Sequence, residues 1–229
     1  MPILITGANR GIGLGFARAY AETGSSVLAT CRNPSKAETL RSLANQFPNI
    51  SIHFLDLASD ESIFQLVSNL EGNGEYIDIL ISNAGVLENE VFGNWTRRRF
   101  ADTFDTNVVG PAILVQALNT LLTDNAKIIQ LSSGLGSLEW GGEGMSDGDS
   151  YSMSKAALNM LTVRLARSSG SRNRLAVSIS PGWVATDMGG SGADLSVEES
   201  VSKMMVAIQS LTPADSGRFI DNRGNTIPW

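Results

Sequence analysis

Ile3-Leu4-Ile5-Thr6-Gly7-Ala8-Asn9-Arg10-Gly11-Ile12-Gly13 is the stretch on which the fold of this chain turns. An apolar run stops at Thr6-Gly7, glycines recur at 7, 11 and 13, and a helical pattern extends over 11–23. Strand, glycine loop and helix in immediate succession form a cradle for phosphate. Gly7, Gly11 and Gly13 let the backbone approach a pyrophosphate, with Asn9, Arg10 and Ile12 around it. The helix start adds free N–H groups and positive potential. The competing reading is a tight turn that needs glycine only for its own geometry.

Outward from this loop, short β-rich runs alternate with helical ones. Strands are expected near 2–6, 26–31, 50–55, 77–82, 126–131, 174–180 and 217–220, and helices over 11–23, 35–46, 60–70, 97–121, 151–168 and 197–210. Ile77 to Ile81 and Ile128 to Leu131 are continuously apolar, as strands covered on both faces are. The expected class is α/β: one doubly wound domain over 1–229, a parallel seven-stranded sheet with helices on both faces. Gly24 suits a helix C′ position, Pro34 and Ser35 a helix start, and Thr96 an N-cap. Gly110-Pro111 should bend or interrupt the long fourth helix. The stretches 134–150 and 181–196 are long for their class and follow strands, so both belong at the carboxyl edge of the sheet, where such folds bind ligands.

Composition narrows the function. The 229 residues carry a net charge of −6, which argues against nucleic acid as a partner. Ile3-Leu4-Ile5 is too short for a signal peptide or membrane span, so a cytoplasmic protein without a span is expected. Cys31 is the only cysteine and His53 the only histidine, so neither an intrachain disulfide nor a zinc site is expected, and no metal is assigned. A serine hydrolase would need His53 as its base, and no Gly-x-Ser-x-Gly elbow is present. Acid–base chemistry is left to Tyr, Lys, Asp or Glu.

Tyr151-Ser152-Met153-Ser154-Lys155 supplies it. On a helix, Tyr151 and Lys155 lie one turn apart on one face, and the ammonium should lower the pKa of the phenol and bind the ribose beside a nicotinamide. Taken alone the pair is an ordinary amphipathic spacing. Ser132-Ser133-Gly134 ends the fifth strand, so one hydroxyl should face the cleft beside Tyr151 and hold a substrate carbonyl.

The second strand ends Ala29-Thr30-Cys31-Arg32-Asn33, without the acid that accepts the ribose of NAD. Arg32 and Arg10 suit a 2′-phosphate instead, so NADP(H) is favoured over NAD(H). Asp56 closes the third strand and either accepts the adenine amino group, with Leu57 beside the ring, or caps the next helix. Asn83-Ala84-Gly85 after the fourth strand either borders the cofactor, Asn83 bracing neighbouring strands, or forms a plain turn. Asn107 lies in a helix, where it binds a water, binds a backbone carbonyl or is exposed. Arg97-Arg98-Arg99 reads as a solvated face and His53 as structural, while Trp140, Trp183 and Trp229 are candidate pocket walls.

Thr6-Gly7-x-x-x-Gly11-x-Gly13, Asp56, Asn83-Ala84-Gly85, Asn107, Ser133, Tyr151-x-x-x-Lys155 and Pro181-Gly182 occur in the order of the short-chain dehydrogenases/reductases, and across nearly its whole length the chain resembles that Rossmann-fold family. Met153 to Met160, Pro181 to Gly190 and the ending Ser216 to Trp229 are most similar to its C-factor and sniffer-like carbonyl reductase branch. The resemblance implies that Ser133 is the catalytic serine and that Asn107 anchors a water in a proton relay through Lys155 and the ribose to Tyr151. It also implies that Pro181, Gly182, Val184 and Thr186 border the nicotinamide. Two features depart from the family: Ser82 stands where Asn is usual, and Ser133 and Tyr151 are 18 positions apart, with a glycine-rich acidic bulge from Glu139 to Asp149.

The expected activity is NADPH-dependent reduction of a carbonyl, with Tyr151 as general acid. Leu135, Trp140 and Trp183 suggest an aromatic or aliphatic ketone, aldehyde or quinone rather than a sugar. The rival is an NAD(P)-binding signalling protein whose role depends on cofactor occupancy. An epimerase or dehydratase of the extended branch would need a substrate domain beyond Trp229 and is set aside. Many relatives pair through the helices corresponding to 97–121 and 151–168 and others are monomers, so a homo-oligomer, dimer or tetramer, is a further expectation beside the monomer.

Overall fold

In a computed structural model, which describes residues 1–141, 147–168 and 172–229, seven parallel strands form one sheet. The strands are β1 (Pro2–Ile5), β2 (Ser26–Cys31), β3 (Ile50–Phe54), β4 (Ile77–Ser82), β5 (Leu122–Leu131), β6 (Leu175–Ile179) and β7 (Phe219–Ile220). Between them run α1 (Gly11–Glu22), α2 (Glu38–Gln46), α3 (Asp60–Gly72), α4 (Arg97–Phe104), α5 (Gly110–Ala117), α6 (Asp149–Ser168) and α7 (Val197–Ser210). The strand order β3-β2-β1-β4-β5-β6-β7 reverses direction between β1 and β4, and the carboxyl ends of those two strands open the crevice.

Side-chain alternation divides the core into two layers. Ile3, Ile5, Ile79, Ile81, Ile129 and Val177 face Phe16 of α1, Leu40 of α2 and Met204 of α7. Leu4, Leu80, Ile128 and Ala176 face Leu66 of α3 and Leu114 of α5. Each such side chain withdrawn from water contributes roughly 1.5–3 kcal/mol, which is why adjacent residues of one strand are all apolar here.

Several boundaries differ from expectation. The helix expected over 97–121 is α4, a π turn (Asp105–Val109), α5 and a 3-10 turn (Leu118–Thr120). Gly110 meets the preceding chain so closely that a Cβ there would stand 2.5 Å from the Leu57 carbonyl oxygen. Pro111 sits in the first turn of α5, where its missing N–H is harmless. Pro34–Lys36 forms its own 3-10 turn, so α2 starts at Glu38 rather than 35. β5 starts at Leu122 rather than 126, through a register shift against Ile77 and Ile79 of β4. The last strand is only Phe219–Ile220 because Gly217, at φ +88°, turns into it. Thr96 does cap α4, accepting from Arg99 N–H, and Gly24 follows α1 at φ +79°. Among the described residues no helix is long and apolar enough to cross a membrane.

Candidate active site

A cleft of about 1370 Å³ follows the carboxyl edge of the sheet from Arg32 and Lys36, past Gly7–Ile12, to Ser133, Tyr151 and Trp183. At its middle, Gly7 and Gly11 adopt φ of +66° and +53°, which side-chain-bearing residues avoid. Arg10 occupies the N-cap of α1 without a capping side-chain bond, so no side chain claims the first N–H groups of the helix. Asn9, Arg10, Gly11 and Ile12 line the cleft there. Gly13 does not. A Cβ on Gly13 would stand 2.3 Å from the Gly7 carbonyl oxygen and 2.5 Å from Asn83 Nδ2, so this glycine sets the approach of α1 to β1.

Asn83 locks the crevice. Its Nδ2 donates to the carbonyls of Thr6 (2.8 Å) and Gly7 (3.2 Å), and the Thr6 hydroxyl accepts from the N–H of Asn83 and of Ala84. Ala84 and Gly85 then line the floor. Ser82, the residue that departs from the family pattern, is buried with its hydroxyl unpartnered.

At the far end, β2 gives way to Arg32 and Asn33, which face the cleft with Lys36 and no acid. Asp56 and Leu57 line it from β3. Asp56 does not cap α3, contrary to one of its two expected roles. Ser59 caps that helix by accepting from Ser62 N–H, while Asp56 Oδ1 accepts only from Ala58 N–H in its own turn.

The titratable end is built on two elements. Ser133 follows β5; Tyr151 and Lys155 lie one turn apart in α6, and both are buried. The 17 intervening residues do not separate them, because the turn Gly134–Gly136 packs directly on α6: a Cβ on Gly136 would lie 2.8 Å from the Lys155 backbone. Residues 142–146 of that bulge lie outside the described residues. Of the serine pair, Ser132 is turned away and donates to Asn159 Oδ1 at 2.7 Å. Ser133 is the hydroxyl that faces the Tyr151 phenol, and it accepts from Leu135 N–H.

The electrostatics correct one expectation. Lys155 does not hold the phenol low in the free protein. Burial pushes Tyr151 up to about 12, opposed by the hydrogen bond from Ser133. Burial also pushes Lys155 down to about 8; its Nζ donates to the Leu131 carbonyl at 2.7 Å and lies 5.4 Å from the centre of the Tyr151 ring.

Asn107 is buried behind the cleft, in the π turn. Its Oδ1 accepts from Val86 N–H (2.8 Å), and its Nδ2 donates to the Val86 carbonyl (2.9 Å) and to Ser154 Oγ (3.0 Å). Its side chain is therefore engaged with protein.

Pro181, Gly182, Val184 and Thr186 line the opposite wall. The Pro181 carbonyl accepts from Ser200 Oγ and Asn222 Nδ2, which ties the start of this loop to α7 and the C-terminal segment. Arg10 reaches across to Asp187 at 2.8 Å, an exposed pair. Leu135, Trp140 and Trp183 line the open end. Trp229 does not: it stacks on Phe219 at 5.6 Å, and its carbonyl accepts from Glu139 N–H. Arg98 and Arg99 pair at the surface with Asp102 and Glu88, and His53 hydrogen-bonds Ser51. Sequence reasoning missed Lys36, Leu87, Thr106 and Met188 in the lining. Lys36 had a signal, as a second cation in the loop after β2; the others had none, since their approach depends on tertiary folding. Among the described residues no three His, Cys, Asp or Glu side chains gather as a metal site requires.

The cleft has the form and donor set of a dinucleotide site ending in a Ser-Tyr-Lys cluster, and known proteins of this form are similar over the whole chain. The structure superposes on the NADPH-bound carbonyl reductase from chicken fatty liver with a TM-score of 0.95 and 34% identity, covering 100% of this chain and 98% of that one. It superposes on the carbonyl reductase Sniffer of D. melanogaster with a TM-score of 0.93 and 33% identity, covering 100% and 99%. Myxococcus xanthus C-signal is 36% identical over 156 residues, 67% of this chain and 93% of that protein. The family model for short chain dehydrogenase matches residues 2–194, and the chain belongs to that family.

Proposed function

We infer that the protein is an NADPH-dependent reductase of a ketone, aldehyde or quinone. The observation that carries the reading is that Ser133, Tyr151 and Lys155 converge at one end of a cleft whose other end is cationic. The residues present fit the cofactor: unclaimed N–H groups at the start of α1 for the pyrophosphate, Arg32, Lys36 and Arg10 for a 2′-phosphate, and no acid at the end of β2 to oppose it. Pro181, Gly182, Val184 and Thr186 would border the nicotinamide, with Asn83, Ala84 and Gly85 beneath it and Asp56 and Leu57 beside the adenine. NADPH, when bound, supplies the hydride.

The chain's own part is to hold the carbonyl and deliver a proton. Ser133 Oγ, fixed by Leu135 N–H, positions the carbonyl oxygen beside the phenol. Tyr151, pushed up to about 12, is protonated at neutral pH and gives that proton to the oxygen as its charge develops. Lys155 binds the ribose and stabilises the phenolate left behind, and Asn107, through its main chain, holds the water that restores the proton. Trp140, Trp183 and Leu135 exclude solvent and favour an apolar substrate.

The test is NADPH oxidation with a panel of apolar ketones, aldehydes and quinones, wild type against Tyr151→Phe. Turnover in the wild type that falls roughly 10²–10⁴-fold in the variant, with NADPH still bound, supports the reading. Turnover that survives in the variant rejects it. The similarity to C-signal favours a second reading, a signalling protein that responds to cofactor occupancy; wild-type binding of NADPH without turnover on any carbonyl would move the assignment there.

A further inference from the structure

Glu90 is the only acidic side chain that is buried among the described residues, and it is fully so, in the connection between β4 and α4. A buried carboxylate is retained only where it makes hydrogen bonds that offset its lost hydration. The carboxylate here makes a single hydrogen bond, to the start of α6, and the main-chain carbonyl of the same residue makes two more there. Oε1 accepts from Ser150 N–H at 2.7 Å, and the Glu90 carbonyl accepts from the N–H groups of Gly148 (2.9 Å) and Asp149 (3.2 Å). Oε2 is buried without a partner. Glu90 thus satisfies N–H groups that a helix start leaves open, with a residue 60 positions away in sequence from Ser150.

The next residue is Tyr151. The same connection grips the same helical turn a second time: Val86 is bound on both backbone atoms by Asn107, which donates to Ser154 Oγ, which in turn donates to the Tyr151 carbonyl. Ser150 Oγ donates to Thr103 of α4, and Trp95 Nε1 to Asp149 Oδ2. The first turn of α6 is therefore held by the 86–95 connection and α4, and Glu90 Oε1 is the side-chain acceptor for Ser150 N–H within that hold.

We propose that Glu90 is a positioning residue for Tyr151: its Oε1, accepting from Ser150 N–H, sets the rotation and height of the first turn of α6 so that the phenol meets both Ser133 and the substrate oxygen. The proposal rests on the reading of Tyr151 as the proton donor. It assigns the role to the acceptor atom at the position the glutamate reaches and gives no part to the charge. Glutamine keeps that atom at that reach. Aspartate keeps the charge but withdraws it by one methylene.

The experiment compares wild type with Glu90→Gln, Glu90→Asp, Glu90→Ala and Tyr151→Phe. Turnover is expressed per NADPH-binding site, counted by fluorescence titration, so that partial unfolding does not register as lost kcat. Expected are kcat within about threefold of wild type for Glu90→Gln and a fall of roughly 10- to 100-fold for Glu90→Asp and Glu90→Ala, with NADPH affinity and KM little changed. Should Glu90→Ala fail to fold, the Gln and Asp variants decide the matter. Wild-type kcat in Glu90→Asp, or a Glu90→Gln as impaired as Glu90→Asp, overturns the proposal. Full activity in Tyr151→Phe instead rejects the underlying assignment of the proton donor, an outcome distinct from either.

Discussion

Lys155 and Tyr151 are buried one helical turn apart with the ammonium 5.4 Å from the ring centre, and burial pushes them in opposite directions, the lysine down to about 8 and the phenol up to about 12. Each is driven toward its neutral form in the free protein. The fold therefore holds a group that would be more comfortable in water, at a position where catalysis needs it.

That arrangement gives stability a pH dependence of defined sign. The Lys155 pKa is depressed in the folded state, so between pH 8 and the ordinary lysine value of 10.5 the unfolded chain carries a proton that the folded chain has released, and unfolding free energy rises with pH. From pH 7.5 to 9.5 the gain from this group is about 2 kcal/mol. Tyr151 acts outside this window: its raised pKa removes stability only above pH 10, as the unfolded chain ionises first. Urea unfolding of the cofactor-free protein should show wild type gaining on Lys155→Met by that amount between the two pH values. Parallel trends in the two proteins would mean that burial does not depress the lysine.

The glycine loop offers a sharper structural test. A Cβ on Gly13 would stand 2.3 Å from the Gly7 carbonyl oxygen and 2.5 Å from Asn83 Nδ2, two groups already hydrogen-bonded to one another. Neither can withdraw without opening the crevice between β1 and β4. Gly13→Ala is expected to lose about 3 kcal/mol in chemical denaturation and to weaken NADPH binding at least tenfold in a fluorescence titration. Gly72→Ala, at the last residue of α3 where a Cβ meets nothing within 4 Å, is the control and should be neutral or gain up to about 1 kcal/mol. Equal behaviour of the two variants would reject the packing role of Gly13.

How much of this was legible in the chain follows from the range of the interactions involved. The strand–loop–helix at 3–13 and the Tyr151–Lys155 pair are local patterns, and the order of the sheet follows from right-handed crossovers between successive parallel strands. Spacing alone did not choose between Ser132 and Ser133; the family resemblance implied Ser133, and the structure adds that Asn159 captures the hydroxyl of Ser132. Trp229 reads as a pocket wall until Phe219 is seen beneath it. Nothing near Glu90 in sequence signals that it is buried against Ser150. The shift of Lys155 was invisible for the same reason: desolvation is a property of the packed neighbourhood and has no spacing.

Cofactor preference should lie in the loop after β2. Arg32 and Lys36 line the cleft where the end of β2 carries no acid, and a guanidinium discriminates a phosphate from a hydroxyl by paired, charge-assisted hydrogen bonds. Arg32→Ala is expected to weaken NADPH binding roughly 10- to 100-fold while changing NADH less than about threefold, and Lys36→Ala to do the same to a smaller degree. Isothermal titration with both dinucleotides measures it. An equal loss for NADPH and NADH would place Arg32 on a part common to the two cofactors.

The last prediction concerns the substrate end. Trp140 is 43% exposed at the cleft mouth, where its ring rests on the bare backbone of Gly134: a Cβ there would stand 3.0 Å from Cζ3. Its loop is held by Ser137 Oγ accepting from Trp140 N–H and by the Trp229 carbonyl accepting from Glu139 N–H. Among the described residues no hydrogen bond joins the Trp140 ring to Ser133 or Tyr151, so its expected contribution is to bind the apolar body of a substrate equally before and during reaction. Loss of such uniform binding raises KM and spares kcat. Trp140→Ala is therefore expected to raise KM for bulky aromatic carbonyls about tenfold with kcat within about threefold, and to leave small aldehydes nearly unaffected. Steady-state kinetics on a size series decides it, since a fall in kcat for the small aldehydes would show that Trp140 shapes the reacting end itself.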